Sequence, residues 1–148
     1  MIQSEILRSG FVELTNLFDV QTIEKIAQWY YDPSVVKPKI MLNAPWFGYV
    51  MTHLQEFFDG MFENHIIQQL EITTSDEVVS KFIERAPNSL DFYIPLKKLN
   101  SVITLPSNRT DVFEFSVGNC IVFHNTTTRK IDGLFIKFVL INKGIQNS

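Results

Sequence analysis

The sequence lacks the features on which several classes of protein depend. Its single cysteine, Cys120, excludes an internal disulfide and a cysteine-based zinc site. The 13 basic and 16 acidic residues give a net charge of -3 without a long basic run, so nucleic-acid binding is not expected. The longest apolar run, residues 134–141, is too short to cross a bilayer and is interrupted by Lys137, which predicts no membrane span.

Motifs of common enzyme classes are absent as well. The chain has no glycine-rich phosphate loop, no Gly-x-Ser-x-Gly segment and no His-Glu-x-x-His segment. Its N-terminus does not have the basic segment and apolar stretch of a signal peptide, so a cytoplasmic location is expected. Cys120 lies in the apolar string CIVF, which predicts a buried, unreactive thiol rather than a nucleophile.

The composition is that of one folded domain. Hydrophobic residues make up 45% and charged residues 20% of the 148 residues, close to the globular average and enough for one core. The hydrophobic pattern divides this single domain, residues 1–148, into a mostly helical part over residues 1–87 and barrel strands over residues 88–142.

A strand and three helices are predicted in the first part. Residues 10–14 form a short strand pattern, and Asp19 is expected to cap a helix over residues 19–30, where apolar residues recur at helical spacing. Two capping-box patterns follow. The one that begins at Thr52 predicts a helix over residues 53–70, and the one that begins at Thr74 predicts a short third helix.

Trp46 and Phe47 stand out in the proline-containing connection between the first two helices. An aromatic pair on a loop is typical of an anchor in a protein interface. It is also compatible with a lid that packs over the barrel, and the sequence leaves both interpretations open.

The second part changes to an alternation of period two, which predicts antiparallel strands. The predicted strands cover residues 90–94, 102–105, 112–117, 120–123 and 134–142. The side chains expected to be buried in them are Phe113, Phe115, Val117, Ile121, Phe123, Ile136, Phe138 and Leu140.

A further pattern joins three segments: SGFVELTNLFDVQTIEKIAQWY, then LKKLNSVITLP, then VGNCIVFHNTTTRKIDGLFIKFVLIN. In this order they resemble the opening strand and support helix, the second core strand, and the last two strands of the 2-oxoglutarate and Fe(II)-dependent oxygenases. The resemblance implies an α+β fold, a double-stranded β-helix (jelly-roll) barrel backed by N-terminal helices.

The iron ligands of that family are missing from their expected places. Two histidines and a carboxylate hold the iron, two of them as a His-x-Asp pair on one face of a strand. The strand before LKKLNSVITLP carries Phe92, Tyr93 and Ile94 there, and the chain contains no His-x-Asp or His-x-Glu. The distal histidine position falls at Thr128 or Arg129. The resemblance therefore predicts no metal, no cofactor and no catalytic residue.

The arginine that binds 2-oxoglutarate in the family is also replaced, by Phe135. Lys137 lies two residues further on the same face; we expect its charged end to reach solvent, with a residual anion contact as the alternative. Arg129 and Lys130 are expected to lie in a solvated loop.

His124 and Asp91 are the remaining candidates for a weak metal site. His124 lies near the distal position but several residues early, and Asp91 belongs to the strand that carries the proximal pair. The expectation for the histidines is polar surface or hydrogen-bonded core.

Two functions follow from these observations. The favoured prediction is a non-enzymatic oxygenase-like domain that acts as a structural or binding subunit, through a protein partner or self-assembly. The bias toward Ile, Asn, Lys and Phe suits an AT-rich genome, so a phage virion component assembled in the host cytoplasm is also predicted. The alternative is a divergent 2-oxoglutarate/Fe(II)-dependent hydroxylase.

Overall fold

Antiparallel strands and three helices make up the fold in a computed structural model that describes residues 2–57, 65–79 and 89–142. The helices are α1 (Ile2–Ser9), α2 (Val20–Tyr31) and α3 (Phe47–Phe57), with a 3₁₀ turn at Met41–Asn43. The strands are β1 (Phe11–Leu14), β2 (His65–Val78), β3 (Leu90–Pro95), β4 (Leu99–Thr104), β5 (Thr110–Phe115), β6 (Cys120–His124) and β7 (Arg129–Asn142).

The strands pair in the order β1-β6-β3-β7-β4-β5, and β2 pairs along β7. Every pairing is antiparallel, and the sheet curls into a half-barrel, which confirms the predicted α+β class and the antiparallel strands of the second part. Strand β7 begins at Arg129, five residues before the predicted start, because its first residues pair with β4.

Gly133 marks the corner of the curled sheet. Strand β7 pairs with β4 as far as Asp132 and with β3 from Phe135 onward, so its neighbour changes at this residue. The backbone of Gly133 has φ +144°, and an added Cβ would lie 2.5 Å from Cδ2 of Leu99. Any other residue at this corner would need a strained backbone and a shift of the buried Leu99 side chain, so glycine is favoured there.

Helix α2 confirms the predicted first helix, since the Asp19 side chain accepts a hydrogen bond from the Thr22 amide at 3.0 Å. Helix α1 has no counterpart among the predictions. The predicted second helix is confirmed by α3 as far as Phe57 and is wrong from His65 onward, because residues 65–78 form strand β2; the part over residues 58–64 lies outside the described residues. The first residues of the predicted third helix, from Thr74 to Val78, also lie in β2, so that prediction is wrong there, and its part from residue 80 onward lies outside the described residues.

Two hydrophobic clusters lie on opposite faces of the sheet. One packs between the sheet and the helices and includes Phe92, Ile94 and Phe138. The other fills the inside of the curl and includes Tyr93, Phe123 and Phe135. Of the eight residues predicted to be buried, six are buried, and Phe113 and Val117 are half-buried.

The lone thiol belongs to the cluster that faces the helices. Cys120 is fully buried, which confirms its predicted burial, and burial raises the pKa of its thiol. Among the described residues, no helix has the length and apolar character needed to cross a membrane.

Trp46 and Phe47 lie at the start of α3. Trp46 is only 6% exposed and packs edge-on against Trp29 with ring centroids 6.0 Å apart, while Phe47 is half-buried against the same cluster. The pair is therefore not an exposed patch, and its contact with a protein partner stays a prediction.

Candidate functional site

A cluster of charged side chains lies inside the curled sheet. It consists of Arg129 and Lys137 on β7, Asp91 and Tyr93 on β3, and Asp76 on β2, and we call it the charged cluster. The charged atoms are largely removed from solvent, since the side chains of Arg129, Asp91 and Lys137 are 0%, 9% and 11% exposed. Buried charges of this kind are tolerated when they are paired and hydrogen-bonded.

The guanidinium of Arg129 is held on several sides. Its Nη2 donates to Oδ2 of Asp91, and its Nε donates to the hydroxyl of Tyr93 at 3.0 Å. Its Nη1 donates to the backbone carbonyls of His124 and Thr127 at 3.2 and 2.9 Å. The ring of Phe123 lies 4.7 Å from the guanidinium carbon, which adds a cation–π contact.

The Tyr93 hydroxyl links the two charged pairs of the cluster. It accepts from Arg129 and donates to Oδ2 of Asp76, which also pairs with Nζ of Lys137 at 2.7 Å. Burial raises the pKa of Tyr93, so the phenol stays protonated and keeps donating this hydrogen bond. Burial alone would raise the pKa of Asp76, but hydrogen bonds from Lys137 and Tyr93 outweigh it, so the net pKa is lowered.

Three predictions for these residues are wrong. Arg129 is not in a solvated loop, because β7 begins there and turns its side chain into the curl; Lys130 is exposed as expected. Lys137 does not reach solvent, because its side chain lies inside the curl, where its Nζ pairs with Asp76 of β2.

The third error concerns the faces of β3. Phe92 and Ile94, assigned to ligand positions inside the barrel, face the helices. Asp91 and Tyr93 are the residues that point inward, so the assignment was shifted by one residue. Phe135, assigned to the position of the family arginine, does lie inside the curl.

Beside the charged cluster, a cavity of about 360 Å³ opens at one end of the curled sheet, and we call it the mouth pocket. Its wall is formed by the turns that follow β4 and β6 and by the residues that precede β1. The lining residues are Ile6, Gly10, Thr104, Leu105, Pro106, Asn108, His124, Thr126, Thr127 and Thr128. Since Arg129 donates to the carbonyls of His124 and Thr127, the pocket and the cluster share a wall.

His124, a predicted candidate for a metal ligand, lines the mouth pocket. Its Nδ1 shares a hydrogen bond of 2.6 Å with the Thr126 hydroxyl, and its amide donates to the Gly10 carbonyl at 3.0 Å. Asp91, the other candidate, is bonded to Arg129. The structure therefore does not bring the two candidates together on a metal. Pattern reasoning missed the mouth pocket, although the Thr-rich turn after β6 marks it in the sequence.

The lowered pKa of Asp76 predicts a specific dependence of stability on pH. Because the carboxylate is favoured in the folded state, its contribution is present above the unfolded pKa, about 4, and is lost as pH falls through the lower folded value. Asp76→Asn should flatten this acid decline in the free energy of unfolding, measured by urea titration from neutral pH downward. Lys137→Met, which removes the partner, should flatten it as well. An unchanged slope in both variants would contradict the assignment.

Comparisons with known proteins identify the fold. The epimerase SnoN from nogalamycin biosynthesis, described as non-heme and alpha-ketoglutarate dependent, superposes with TM-score 0.67 at 12% identity over 95% of this chain and 82% of SnoN. HygX from Streptomyces hygroscopicus, with nickel and 2-oxoglutarate bound, gives 0.66 at 8% identity over 95% and 86%. A Pseudomonas putida prolyl-4-hydroxylase gives 0.57 at 6% identity over 96% and 93%.

No family profile matches the sequence, and no curated protein matches it significantly. The likeness to the solved structures at this level of identity shows the fold. It does not carry their ligands over to this chain, so the fit of an iron ion has to be judged from the residues present.

The described residues do not fit the iron ion of the fold. Within residues 2–57, 65–79 and 89–142, no group of three or more His, Cys, Asp or Glu side chains is arranged to hold a metal. The one inward carboxylate on β3, Asp91, already binds the Arg129 guanidinium, whose positive charge opposes a cation beside it. No step of the chemistry is therefore assigned to iron.

The prediction that this chain is not an enzyme is contradicted by the comparisons. SnoN, HygX and the prolyl hydroxylase belong to an enzyme fold, and this chain matches it over 95% or more of its length. The absence of the family ligands from their expected places therefore does not exclude an enzyme, since the fold is one that enzymes have. The chain has the double-stranded β-helix fold of the 2-oxoglutarate-dependent oxygenases.

Proposed function

We propose that this protein is a divergent enzyme of the 2-oxoglutarate oxygenase fold that converts a small polar molecule bound in the mouth pocket. The observation that carries the proposal is the composition of this pocket. Three consecutive threonines, Thr126 to Thr128, and His124 form one side of a cavity of about 360 Å³, a volume typical of small-molecule sites. Hydroxyl and imidazole groups recognise hydroxyl-bearing or carboxyl-bearing compounds through hydrogen bonds.

The pocket is held in shape by hydrogen bonds from the fold. The Thr127 hydroxyl donates to the Gly10 carbonyl at 2.8 Å, which ties the turn after β6 to the residue before β1. Arg129 holds the same turn as well, because its Nη1 donates hydrogen bonds to the carbonyls of His124 and Thr127. Such preorganisation lowers the cost of ordering the site when a substrate binds.

His124 is the residue that can move a proton in this pocket. Histidine is the side chain whose ordinary charge change falls near neutral pH, and the Thr126 hydroxyl orients this ring from Nδ1. Among the described lining residues it is the one titratable side chain. We therefore assign it the role of acid–base group toward the bound substrate.

The test combines binding and turnover. Amide resonances of the labelled protein are followed against a panel of hydroxy acids, amino acids and monosaccharides, and compounds that bind are assayed by mass spectrometry with and without Fe(II) and 2-oxoglutarate. The expected result is that a converted compound shifts the resonances of Asn108 and of residues 126–128. Binding only at a surface outside the mouth pocket would contradict the proposal.

Two histidine variants separate catalysis from folding. His124→Gln keeps a hydrogen-bonding side chain without the acid–base function and should lower the conversion rate about 100-fold or more. His53→Gln is the matched control, because His53 lies on α3, where its Nδ1 contacts the Tyr49 carbonyl, and does not line the pocket. Equal turnover by the two variants would remove His124 from the mechanism.

A further inference from the structure

The inward residues of the charged cluster occupy the positions that metal ligands would have in a facial triad, but they are different residue types. A facial triad takes its ligands from inward positions, two of them at i and i+2 on one strand. In this protein Asp91 and Tyr93 have that spacing on β3, and Arg129 reaches both from the start of β7. Arg129 also lies at one of the two positions to which the sequence resemblance assigns the distal ligand.

The charges inside the cluster balance without an added ion. Asp91 and Asp76 supply two negative charges, Arg129 and Lys137 supply two positive charges, and Tyr93 contributes a protonated hydroxyl that bridges them. An entering divalent cation would have to displace the guanidinium from Asp91. It would also add charge beside Lys137 in a site of low dielectric constant.

We propose that the guanidinium of Arg129 replaces the metal ion of this fold as the central cation of the barrel. Its planar array of donors binds a carboxylate, a phenol and two carbonyls at once, a set of contacts that an ammonium cannot reproduce. The guanidinium therefore connects β3, β6 and β7 from inside the curl, where the fold otherwise uses a bound ion. This role is independent of the substrate proposed for the mouth pocket.

The first experiment uses the native protein and Co(II), whose visible absorption reports coordination. Native protein titrated anaerobically with Co(II), with and without 2-oxoglutarate, should show no ligand-field spectrum and no change in its thermal midpoint. Stoichiometric binding that disappears in Asp91→Asn would overturn the proposal. Substrate conversion is not measured, so this outcome is separate from the fate of the proposed enzyme activity.

The second experiment restores the ligands. Tyr93→His together with Arg129→His places two imidazoles beside the Asp91 carboxylate, which is the ligand set of a facial triad. The double variant should bind one equivalent of Co(II) and gain thermal stability from it by mass action. A folded double variant that binds no Co(II) contradicts the proposal. If it does not fold, Arg129→His alone is titrated, and Co(II) should raise its midpoint while leaving the native midpoint unchanged.

Discussion

Replacement of Arg129 by methionine is expected to lower the free energy of unfolding by about 3–5 kcal/mol. The methionine fills much of the space of the arginine but leaves the Asp91 carboxylate buried without its cation. It also removes the hydrogen bonds that Arg129 donates to the Tyr93 hydroxyl and to the carbonyls of His124 and Thr127. The size of the effect is determined by the cost of leaving these buried groups without hydrogen-bond partners, rather than by the net strength of the ion pair.

Urea unfolding at neutral pH measures this change, and Arg109→Met is the matched control. Arg109 pairs with Asp111 at 3.0 Å, but its side chain is 73% exposed, so its removal should change stability by less than about 1 kcal/mol. Asp91→Leu combined with Arg129→Met removes both charges and should be less destabilising than Arg129→Met alone. If the double variant lost as much unfolding free energy as the two single variants together, the ion pair would not be the origin of the effect.

The strands of the second part were predictable because they are apolar enough to be recognised without knowing which face each residue occupies. The faces were not predictable on β3, where all six residues from Leu90 to Pro95 are buried. Helices cover one side of this strand and the inside of the curl covers the other. Its side chains are therefore buried on both faces, and the sequence shows no alternation of apolar and polar residues that would tell the faces apart. Phe92 and Ile94 were consequently placed inside the barrel in exchange for Asp91 and Tyr93.

Strand β2 was misread for a different physical reason. Its register against β7 shifts between Gln68 and Glu71, and Gln69 has φ +55°, so a bulge breaks the alternation of period two. With this alternation broken, the apolar residues that remain are spaced as they would be on one face of a helix. The β-branched residues on both sides of the bulge, among them Ile66, Ile67 and Ile72, favour a strand, and pairing with β7 decides the outcome.

The charged cluster was hidden because its partners are distant in sequence. Arg129 follows three threonines and precedes Lys130, which is a typical surface composition. Its partners Asp91 and Tyr93 lie 38 and 36 residues away. Arg129 itself pairs with β4 and β2, so only the curl of the sheet brings the two residues of β3 to it. Local composition therefore predicted solvent exposure, and the sheet topology reversed it.

Phe138→Ala is expected to cost about 3–5 kcal/mol of unfolding free energy. Phe138 is 1% exposed on the helix-facing side of β7 and stacks on Phe92 across the β3–β7 pair, with ring centroids 4.6 Å apart and planes 10° apart. Truncation removes this aromatic contact and leaves a cavity between the sheet and the helices, where neighbouring strands prevent collapse. The effect should be visible as a lower urea midpoint with an unchanged slope.

Comparison with two further alanine variants makes this result a test of the whole sheet. Phe135→Ala removes a fully buried ring from the opposite face of β7 and should cost a similar amount, because both faces of this strand are buried. Val112→Ala, on the 74% exposed edge of β5, should cost less than about 1 kcal/mol. A small loss for Phe138→Ala beside a large one for Phe135→Ala would mean that the helices do not cover the sheet, since a ring that faces solvent has little packing to lose.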